Sequence, residues 1–258
     1  MATEERKDEV VVGLHVGNAA DRIAGAIDRL AAWMARHWLA LFNIIVALFV
    51  AVPFLAPVLM HLGSARGCVP CTGAARFIYI LYSPTCHQLP ERSYFLFGPQ
   101  GTYTVGELEA RGGVPAGLNI LQRQMLRATG TADLGYKAAL CERDVAIFGS
   151  LLLGGLVFGL ARSILHRRGR KVPRLPVRAY LVALAPMLID GVTQLFGLRE
   201  SNWVLRTITG MLFGLATVWL AYPFVGEAMA DVSRTSLTKK ANGARRDPGT
   251  GQNPSPML

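Results

Sequence analysis

The chain has 258 residues, of which 52% are apolar and 17% are charged, and its net charge is +10. A soluble domain carries about a quarter charged residues, so this composition excludes a soluble globular enzyme, a disordered chain and a small disulfide scaffold. The charges are also segregated, since residues 38–62 and 145–161 contain no Asp, Glu, Lys or Arg. Long uncharged stretches of this kind indicate a polytopic membrane protein.

An amphipathic segment is predicted ahead of the first apolar stretch. Ile23, Ile27, Leu30 and Met34 follow one another at helical spacing, and charged residues lie between them. We therefore expect residues 1–37 to form a cytoplasmic amphipathic segment at the membrane interface. The apolar stretch after it is too long for the hydrophobic region of a signal peptide, so we expect no cleaved signal.

Four apolar stretches are predicted to span the bilayer: 38–62, 145–165, 179–198 and 204–225. Each is close to the ~20 residues that cross the hydrocarbon layer. They make up an integral membrane domain at 38–226, predicted to be an all-α bundle of about four transmembrane helices. A cytoplasmic, partly disordered tail is expected at 227–258, because its end is rich in Gly, Pro, Asn and Ser.

Positive charge predicts the orientation of these spans. Residues 166–178 carry six Lys and Arg side chains, and the C-terminal tail adds more. Lys and Arg beside a span stay in the cytoplasm, so four spans place both termini in the cytoplasm and residues 66–143 outside. The expected partner is the lipid bilayer of the cell membrane, including its anionic lipids, and no nucleic acid is expected.

The segment 74–97 is predicted to be a re-entrant or interfacial hairpin. Its two apolar runs are each too short to cross, and a polar stretch with two prolines separates them. Inside a membrane, such a backbone is tolerated only where it lines a protein cavity. If the segment spanned, the count would rise to five and the N-terminus would lie outside. Residues 98–143 are predicted to form an extracytoplasmic loop, with a short amphipathic helix at 118–127.

Unusual polar residues collect in five clusters: the pair Cys68 and Cys71, then 86–93, 141–144, 186–194 and 199–206. In the four-span topology all five face the outer half of the membrane. The sequence therefore predicts one polar pocket on the extracytoplasmic side.

Three strings carry a resemblance to a known family: CHQLPERSYFLFG, CERDVAIFGS and PMLIDGVTQLFGLRESNWVLRTITG. They resemble a family of bacterial and archaeal membrane proteins of unknown function with Cys-His-Gln and Asp-Gly-x-x-Gln motifs. The resemblance covers residues 40–225, and it implies a polytopic membrane fold without an established activity. It also implies importance for the residues that match its motifs, namely Cys86, His87, Gln88, Arg92, Ser93, Arg143, Asp144, Asp190, Gln194 and Arg206.

Asp190 is the predicted floor of the pocket, together with Gln194 one helical turn later. A carboxylate inside a span is costly unless it is paired or hydrated, which favours a substrate, ion or proton site. The structural alternative is a buried ion pair with Arg143, Arg199 or Arg206.

A divalent metal such as zinc is one candidate cofactor, since thiolate, imidazole and carboxylate groups suit it. The candidate ligands are Cys86, His87, Cys141, Asp144 and Asp190. The alternatives are a Cys86–Cys141 disulfide, a buried hydrogen-bonding histidine, or a site without metal in which His87 acts as an acid–base group.

The pair Cys68 and Cys71 has the C-x-x-C spacing of redox-active thiols. No βαβ pattern surrounds it, so a thioredoxin-like domain is not expected. The alternatives are a membrane disulfide former and a structural disulfide after the first span.

The predicted ligand-binding set is His87, Gln88, Arg92, Ser93, Arg143, Asp190, Gln194 and Arg206. Arginines in such a set bind phosphate or carboxylate groups, or else form a salt-bridge network. The Gly155/Gly159 and Gly210/Gly214 pairs allow close helix approach, either within the chain or in a homodimer.

We expect this pocket to bind or transport a small solute, a metal ion or a lipid headgroup. The alternatives are an outer-leaflet enzyme, including one for thiol–disulfide exchange, and an accessory subunit of a larger membrane complex. The sequence contains no P-loop, GxSxG, HExxH or GxGxxG motif. We therefore do not expect ATP hydrolysis, serine hydrolase chemistry, zinc-dependent proteolysis or a dinucleotide-binding fold.

Overall fold

A computed structural model of the chain describes residues 2–195 and 201–246. These residues form the elements α1 (Ala2–Arg66), α2 (Val69–Tyr82), β1 (Ser93–Leu96), α3 (Val105–Ala110), α4 (Ile120–Leu126), β2 (Gly130–Thr131), β3 (Gly135–Cys141), α5 (Glu142–Arg167), α6 (Val177–Leu195) and α7 (Trp203–Arg246). A single 3-10 turn, Pro90–Arg92, leads into β1. The mostly helical architecture is confirmed.

The chain divides into two compact units. One contains the residues up to Leu41 and those from Phe224 onward, and the other contains Phe42–Pro223. Every candidate site described below lies in the second unit. The predicted segment 1–37 and the first predicted span are parts of one continuous helix, α1.

Three of the described helices are long and apolar enough to cross a membrane: Arg22–Arg66 in α1, Glu142–Arg167 in α5 and Trp203–Ser236 in α7. Large aliphatic side chains on them are exposed, including Ile45 at 63%, Leu160 at 63% and Ile208 at 57%. Contiguous apolar surface of this kind is unusual in water and suits the hydrocarbon of a bilayer. The prediction of a membrane protein with several transmembrane helices is confirmed.

The third predicted span, 179–198, falls on α6. This helix has 19 residues and ends at Leu195, so residues 196–198 lie outside the described residues. It is not one of the three helices above, because Arg178, Asp190 and Gln194 lower its mean hydropathy.

The residues between α1 and α5 form a small layer of helices and strands rather than a loop and a hairpin. The strand order is β1-β3-β2, and antiparallel pairing sets Ser93 against Cys141 and Leu96 against Tyr136. Within the segment 74–97, residues 74–82 complete α2, and the apolar run near the end of the segment is strand β1. The short helix predicted at 118–127 is confirmed as α4, which Asn119 caps at its N-terminus.

A buried apolar cluster joins this layer to the membrane helices. It includes Ala56 of α1, Tyr79 of α2 and Leu140 of β3, and Cys86 packs in the same cluster. The Tyr79 hydroxyl donates a hydrogen bond to the Lys137 carbonyl oxygen, which fixes α2 against β3. The strands are therefore anchored on the helix bundle.

Glycines bring α5 and α7 into close contact. A Cβ atom at Gly214 would lie 2.0 Å from the Ser150 Oγ and 2.6 Å from the Ile147 carbonyl oxygen. Gly210 similarly approaches the Arg143 carbonyl oxygen and the Ala146 side chain. Gly210 and Gly214 therefore allow two helices of the same chain to pack closely.

We expect Gly214→Ala to lower the free energy of unfolding by about 1–3 kcal/mol, because the new methyl group overfills the contact with α5. Gly149→Ala is the matched control, since a Cβ there meets nothing within 4 Å. It should be neutral or stabilising, as alanine favours a helix over glycine. Unfolding in detergent micelles measures both values, and equal effects would contradict close packing at Gly214.

Candidate functional site

Several of the predicted polar residues meet where α5 and α7 begin. Strand β3 runs directly into α5 at Glu142, and α7 begins at Trp203. Because Ser93 pairs with Cys141, the 3-10 turn before β1 lies beside the start of α5. Strand pairing thus brings residues far apart in the sequence to one end of the helices.

Asp190 lies in a buried polar network. It forms an ion pair with Arg143 and accepts hydrogen bonds from Gln194 Nε2 at 2.8 Å and Ser201 Oγ at 3.1 Å. Its side chain is 1% exposed. These contacts fasten α6 to α5 and to the start of α7. The carboxylate thus takes part in a buried ion pair, as in the structural alternative considered for it. Arg199 lies outside the described residues.

Arg206 holds a second buried ion pair. Its Nη1 lies 3.0 Å from Glu142 Oε2, and the two side chains are 8% and 1% exposed. The guanidinium also donates to the carbonyl oxygens of Glu91 and Ser201. The start of α7 is therefore fixed to the start of α5 and to the 3-10 turn.

A cavity of about 700 Å³, called here the Arg92 cavity, opens beside these pairs. Its polar lining includes the predicted residues Arg92, Gln194 and Arg206, and Trp203 contributes an aromatic ring. Glu142 and Arg123 also line it, and Arg123 Nε lies 3.1 Å from Glu91 Oε1.

Arg92 differs from the other arginines of this cavity. Among the described residues no carboxylate lies within 4.0 Å of its guanidinium, and its buried Nε has no hydrogen-bond partner. Burial and the neighbouring charge of Arg206 hold the pKa of Arg92 below its ordinary value. The buried Nε of Arg206 also lacks a partner in the described part of the chain.

His87 and Gln88 line a different cavity, of about 750 Å³, which we call the His87 cavity. The His87 side chain is exposed, so it is not the buried histidine considered as an alternative. Gln88 donates a hydrogen bond from Nε2 to the Tyr79 carbonyl oxygen at 2.8 Å. Helix α4 contributes residues to both cavities, so the predicted single pocket consists of two.

Ser93 is fully buried and lines neither cavity. Its hydroxyl donates to the Leu89 carbonyl oxygen at 2.9 Å. This bond fixes the 3-10 turn that carries Arg92, so Ser93 supports the position of the arginine.

Cys86, Cys141 and Asp144 form a compact cluster. One ligand atom from each residue lies within 4.8 Å of the other two. Both cysteines are free thiols, and the Cys141 thiol donates to Asp144 Oδ2 at 3.1 Å. The side-chain contact between the two cysteines lowers the pKa of Cys86 and, with burial, raises that of Cys141. Asp190 and His87 do not belong to this cluster.

Cys68 and Cys71 form a disulfide at the N-terminus of α2, with Cα atoms 5.3 Å apart. Helix α2 has 14 residues, so it places about 20 Å between this disulfide and the Cys86 thiol. The two pairs of cysteines are therefore separate sites.

Lys137 is a residue that the sequence analysis did not single out. It is 1% exposed, and its Nζ lies 5.0 Å from the centre of the Tyr79 ring. Burial lowers the pKa of Lys137 to about 8. The sequence feature that could have identified it is a lysine inside the otherwise apolar segment GYKAALC.

The helices and their lipid-compatible surface define a multi-pass membrane protein. Residues 133–220 match the model of a family described as "Predicted membrane protein (DUF2085)". An uncharacterized protein of Methanocaldococcus jannaschii is 29% identical over 175 residues, which cover 67% of this chain and 83% of that protein. The resemblance to a membrane protein family of unknown function is therefore confirmed. No solved structure matches the chain.

Proposed function

We propose that this membrane protein binds a small anionic ligand, either a solute or a lipid headgroup, in the Arg92 cavity. The observation that carries the proposal is the guanidinium of Arg92, which lines the cavity without a paired carboxylate among the described residues. A guanidinium binds carboxylate and phosphate groups through two parallel hydrogen bonds. An anion at this position would supply the missing partner.

Most of the charged groups around the cavity already have partners. Glu142 and Glu91 are already paired, with Arg206 and Arg123 respectively. Glu107 accepts hydrogen bonds from the Thr104 backbone and hydroxyl groups, which cap α3. Glu107 keeps its negative charge, so three carboxylates and three guanidinium groups line the cavity. Among these guanidinium groups, that of Arg92 has no paired carboxylate in the described part of the chain.

The size and position of the cavity also fit this role. Small-molecule sites measure about 300–1,000 Å³, and this cavity measures about 700 Å³. Trp203 is half exposed at its edge, and tryptophan is enriched where a membrane meets water. A ligand could therefore enter from the aqueous phase or from the lipid headgroups.

The distribution of charge supports an extracytoplasmic orientation of the cavity. Helix α5 begins at the cavity and ends at the basic connection to α6, which contains Arg168, Arg170 and Lys171. Its 26 residues span about 39 Å, enough to cross the bilayer. If the basic connection stays cytoplasmic, the cavity opens on the outer side.

Asp190 has a positioning role in this proposal. Gln194 lines the cavity and donates two hydrogen bonds to Asp190, one to the carboxylate and one to the backbone carbonyl. The Arg143–Asp190 pair thereby holds the Gln194 amide at the cavity wall. His87 and Gln88 line the other cavity and have no part in this binding site.

The test uses full-length protein in a mild detergent, with inorganic phosphate and a short-chain phosphatidylglycerol as probes. We expect both to raise the melting temperature, and Arg92→Gln to weaken binding by about ten- to a hundredfold, since one charged hydrogen bond contributes about 1.5–3 kcal/mol. Arg66→Gln is the control, because Arg66 is exposed at the end of α1 and lies outside the cavity.

Protection by phosphatidylglycerol alone would identify a lipid headgroup, and protection by phosphate as well would identify a soluble anion. Short-chain phosphatidylcholine separates the effect of charge from the effect of acyl chains. Equal binding by the wild type and Arg92→Gln would contradict the proposal. A stable copurifying protein and no response to either probe would favour an accessory subunit instead.

A further inference from the structure

We infer that Cys86, Cys141 and Asp144 form a binding site for a thiophilic divalent metal ion, such as zinc. This site lies outside the Arg92 cavity and is independent of the function proposed for it. The ligand atoms lie within 4.8 Å of one another. Atoms bound to one tetrahedral zinc ion, with Zn–S bonds of about 2.3 Å, are about 4 Å apart, so little movement is needed.

Two of the ligands lie in regular elements, and Cys86 lies in the buried segment that follows α2. Cys86 follows α2, where its backbone N–H donates to the Tyr82 carbonyl oxygen at 3.2 Å. Cys141 ends β3, and Asp144 lies three residues later in the first turn of α5. The cluster is thus built where a helix, a strand and a second helix meet, and Cys86 is buried in the core between them.

The buried Lys137 supports the same conclusion from its charge. Its ammonium group belongs to none of the ion pairs found among the described residues, although it is 1% exposed. Burying an unpaired charge is costly. Two thiolates and one carboxylate around a divalent ion leave one net negative charge, which the ammonium group would balance.

Lys137 is close enough to the cluster for this balance to act. Burial lowers the pKa of Lys137, whereas the negative charges of a Cys86 thiolate and of the Glu91 carboxylate both raise it. A metal centre with one net negative charge would therefore stabilise the buried ammonium group.

The chemistry of the ligands favours zinc over magnesium or calcium. Sulfur ligands select soft or borderline ions, whereas magnesium and calcium need oxygen ligands. Three protein ligands leave a fourth position open, as in zinc sites that bind water or substrate. Cys86 also lines the His87 cavity, which gives solvent access to this side of the cluster.

The test loads reduced, full-length protein in detergent with cobalt(II), a spectroscopic substitute for zinc. The wild type should bind one equivalent, show thiolate-to-cobalt charge-transfer absorption, and lose it when zinc is added. Cys86→Ser and Cys141→Ser should each remove most of this absorption. Asp144→Asn should weaken zinc binding at least tenfold, about the effect that even an outer partner of a metal ligand can have.

The controls separate this site from the rest of the protein. The double variant Cys68→Ser/Cys71→Ser removes the other two cysteines and should bind cobalt like the wild type. Arg92→Gln should also keep cobalt binding, so failure of the anion proposal would leave this one standing. Asp144→Asn keeps the size of the side chain and an acceptor for the Cys141 thiol, which preserves the fold.

Three results would overturn the inference. One is a reduced wild-type protein that binds no cobalt while Cys86 and Cys141 react as free thiols after unfolding. Another is unchanged cobalt absorption in both Cys141→Ser and Asp144→Asn. Recovery of a Cys86–Cys141 disulfide that persists in the folded protein under reductant would overturn it as well.

Discussion

Arg206→Met is expected to lower the free energy of unfolding by about 3–5 kcal/mol, the cost of removing one partner from a buried ion pair. Glu142, at 1% exposure, would lose the cation 3.0 Å from its carboxylate. The carbonyl oxygens of Glu91 and Ser201 would also lose a donor. Denaturant titration in mixed micelles measures the change.

Two controls test the reason for that loss. In the double variant Arg206→Met/Glu142→Gln the orphaned charge is absent, so most of the stability should return. Arg234→Met breaks a pair with Asp231 whose side chains are 81% and 76% exposed, so it should change stability by less than about 1 kcal/mol. Equal effects of Arg206→Met and Arg234→Met would show that burial of the first pair is not important.

Lys137→Met is expected to stabilise the metal-free protein at pH 7 by about 1–3 kcal/mol. The pKa of Lys137 is about 8 in the folded state against 10.5 ordinarily, a shift of about 3 kcal/mol at about 1.4 kcal/mol per pKa unit. The variant avoids this cost but loses the contact with the Tyr79 ring, which contributes about 0.5–2 kcal/mol.

The pH dependence gives the sharper test of Lys137. Between pH 8 and 10.5 the unfolded chain binds more protons at this lysine than the folded protein does. The stability of the wild-type protein should therefore rise with pH through this window. Below pH 8 the full free-energy cost of burying the protonated lysine should be present. The groups that act on Lys137 include Cys86 and Glu91, and they are present in both proteins, so the difference between variant and wild type isolates the lysine.

The control for this prediction is Arg168→Met, in the exposed connection between α5 and α6. It should leave both the stability and its pH dependence unchanged. If zinc binds as inferred, the advantage of Lys137→Met should shrink in zinc-loaded protein, because the ammonium then balances the metal centre. A variant whose stability follows the wild-type pH profile would contradict a depressed lysine pKa.

The transmembrane helices were predictable because their signal is local. An uncharged run of about twenty residues can satisfy its backbone in hydrocarbon only as a helix, and α1, α5 and α7 contain such runs. The sheet had no comparable signal. Strand β1 has four residues, and β3 is buried along most of its length, so it lacks the alternation of polar and apolar residues that marks a half-exposed strand.

The candidate residues were found by their chemistry, but their grouping was not. Parity of the spans brought Cys86, Asp144, Arg92 and Asp190 to one side as a single pocket. The structure instead divides them among a metal-type cluster, an arginine-lined cavity and a buried ion pair. The side of the membrane on which a residue lies depends only on the number of spans before it. The residues that it contacts depend on strand register and helix packing.

The amino-acid sequence was enough to predict a membrane protein and the segments that are apolar enough to cross the bilayer. It also identified the polar residues whose burial in a membrane would cost free energy unless they have partners. These properties follow from composition over short windows, where transfer from water to hydrocarbon dominates the free energy. The tertiary structure alone decided that Arg143 pairs with Asp190, that Arg206 pairs with Glu142, and that Lys137 is buried. A buried charge is stabilised by the partner that tertiary packing places beside it. The pairing of Ser93 with Cys141 is a long-range contact, which no local sequence pattern encodes.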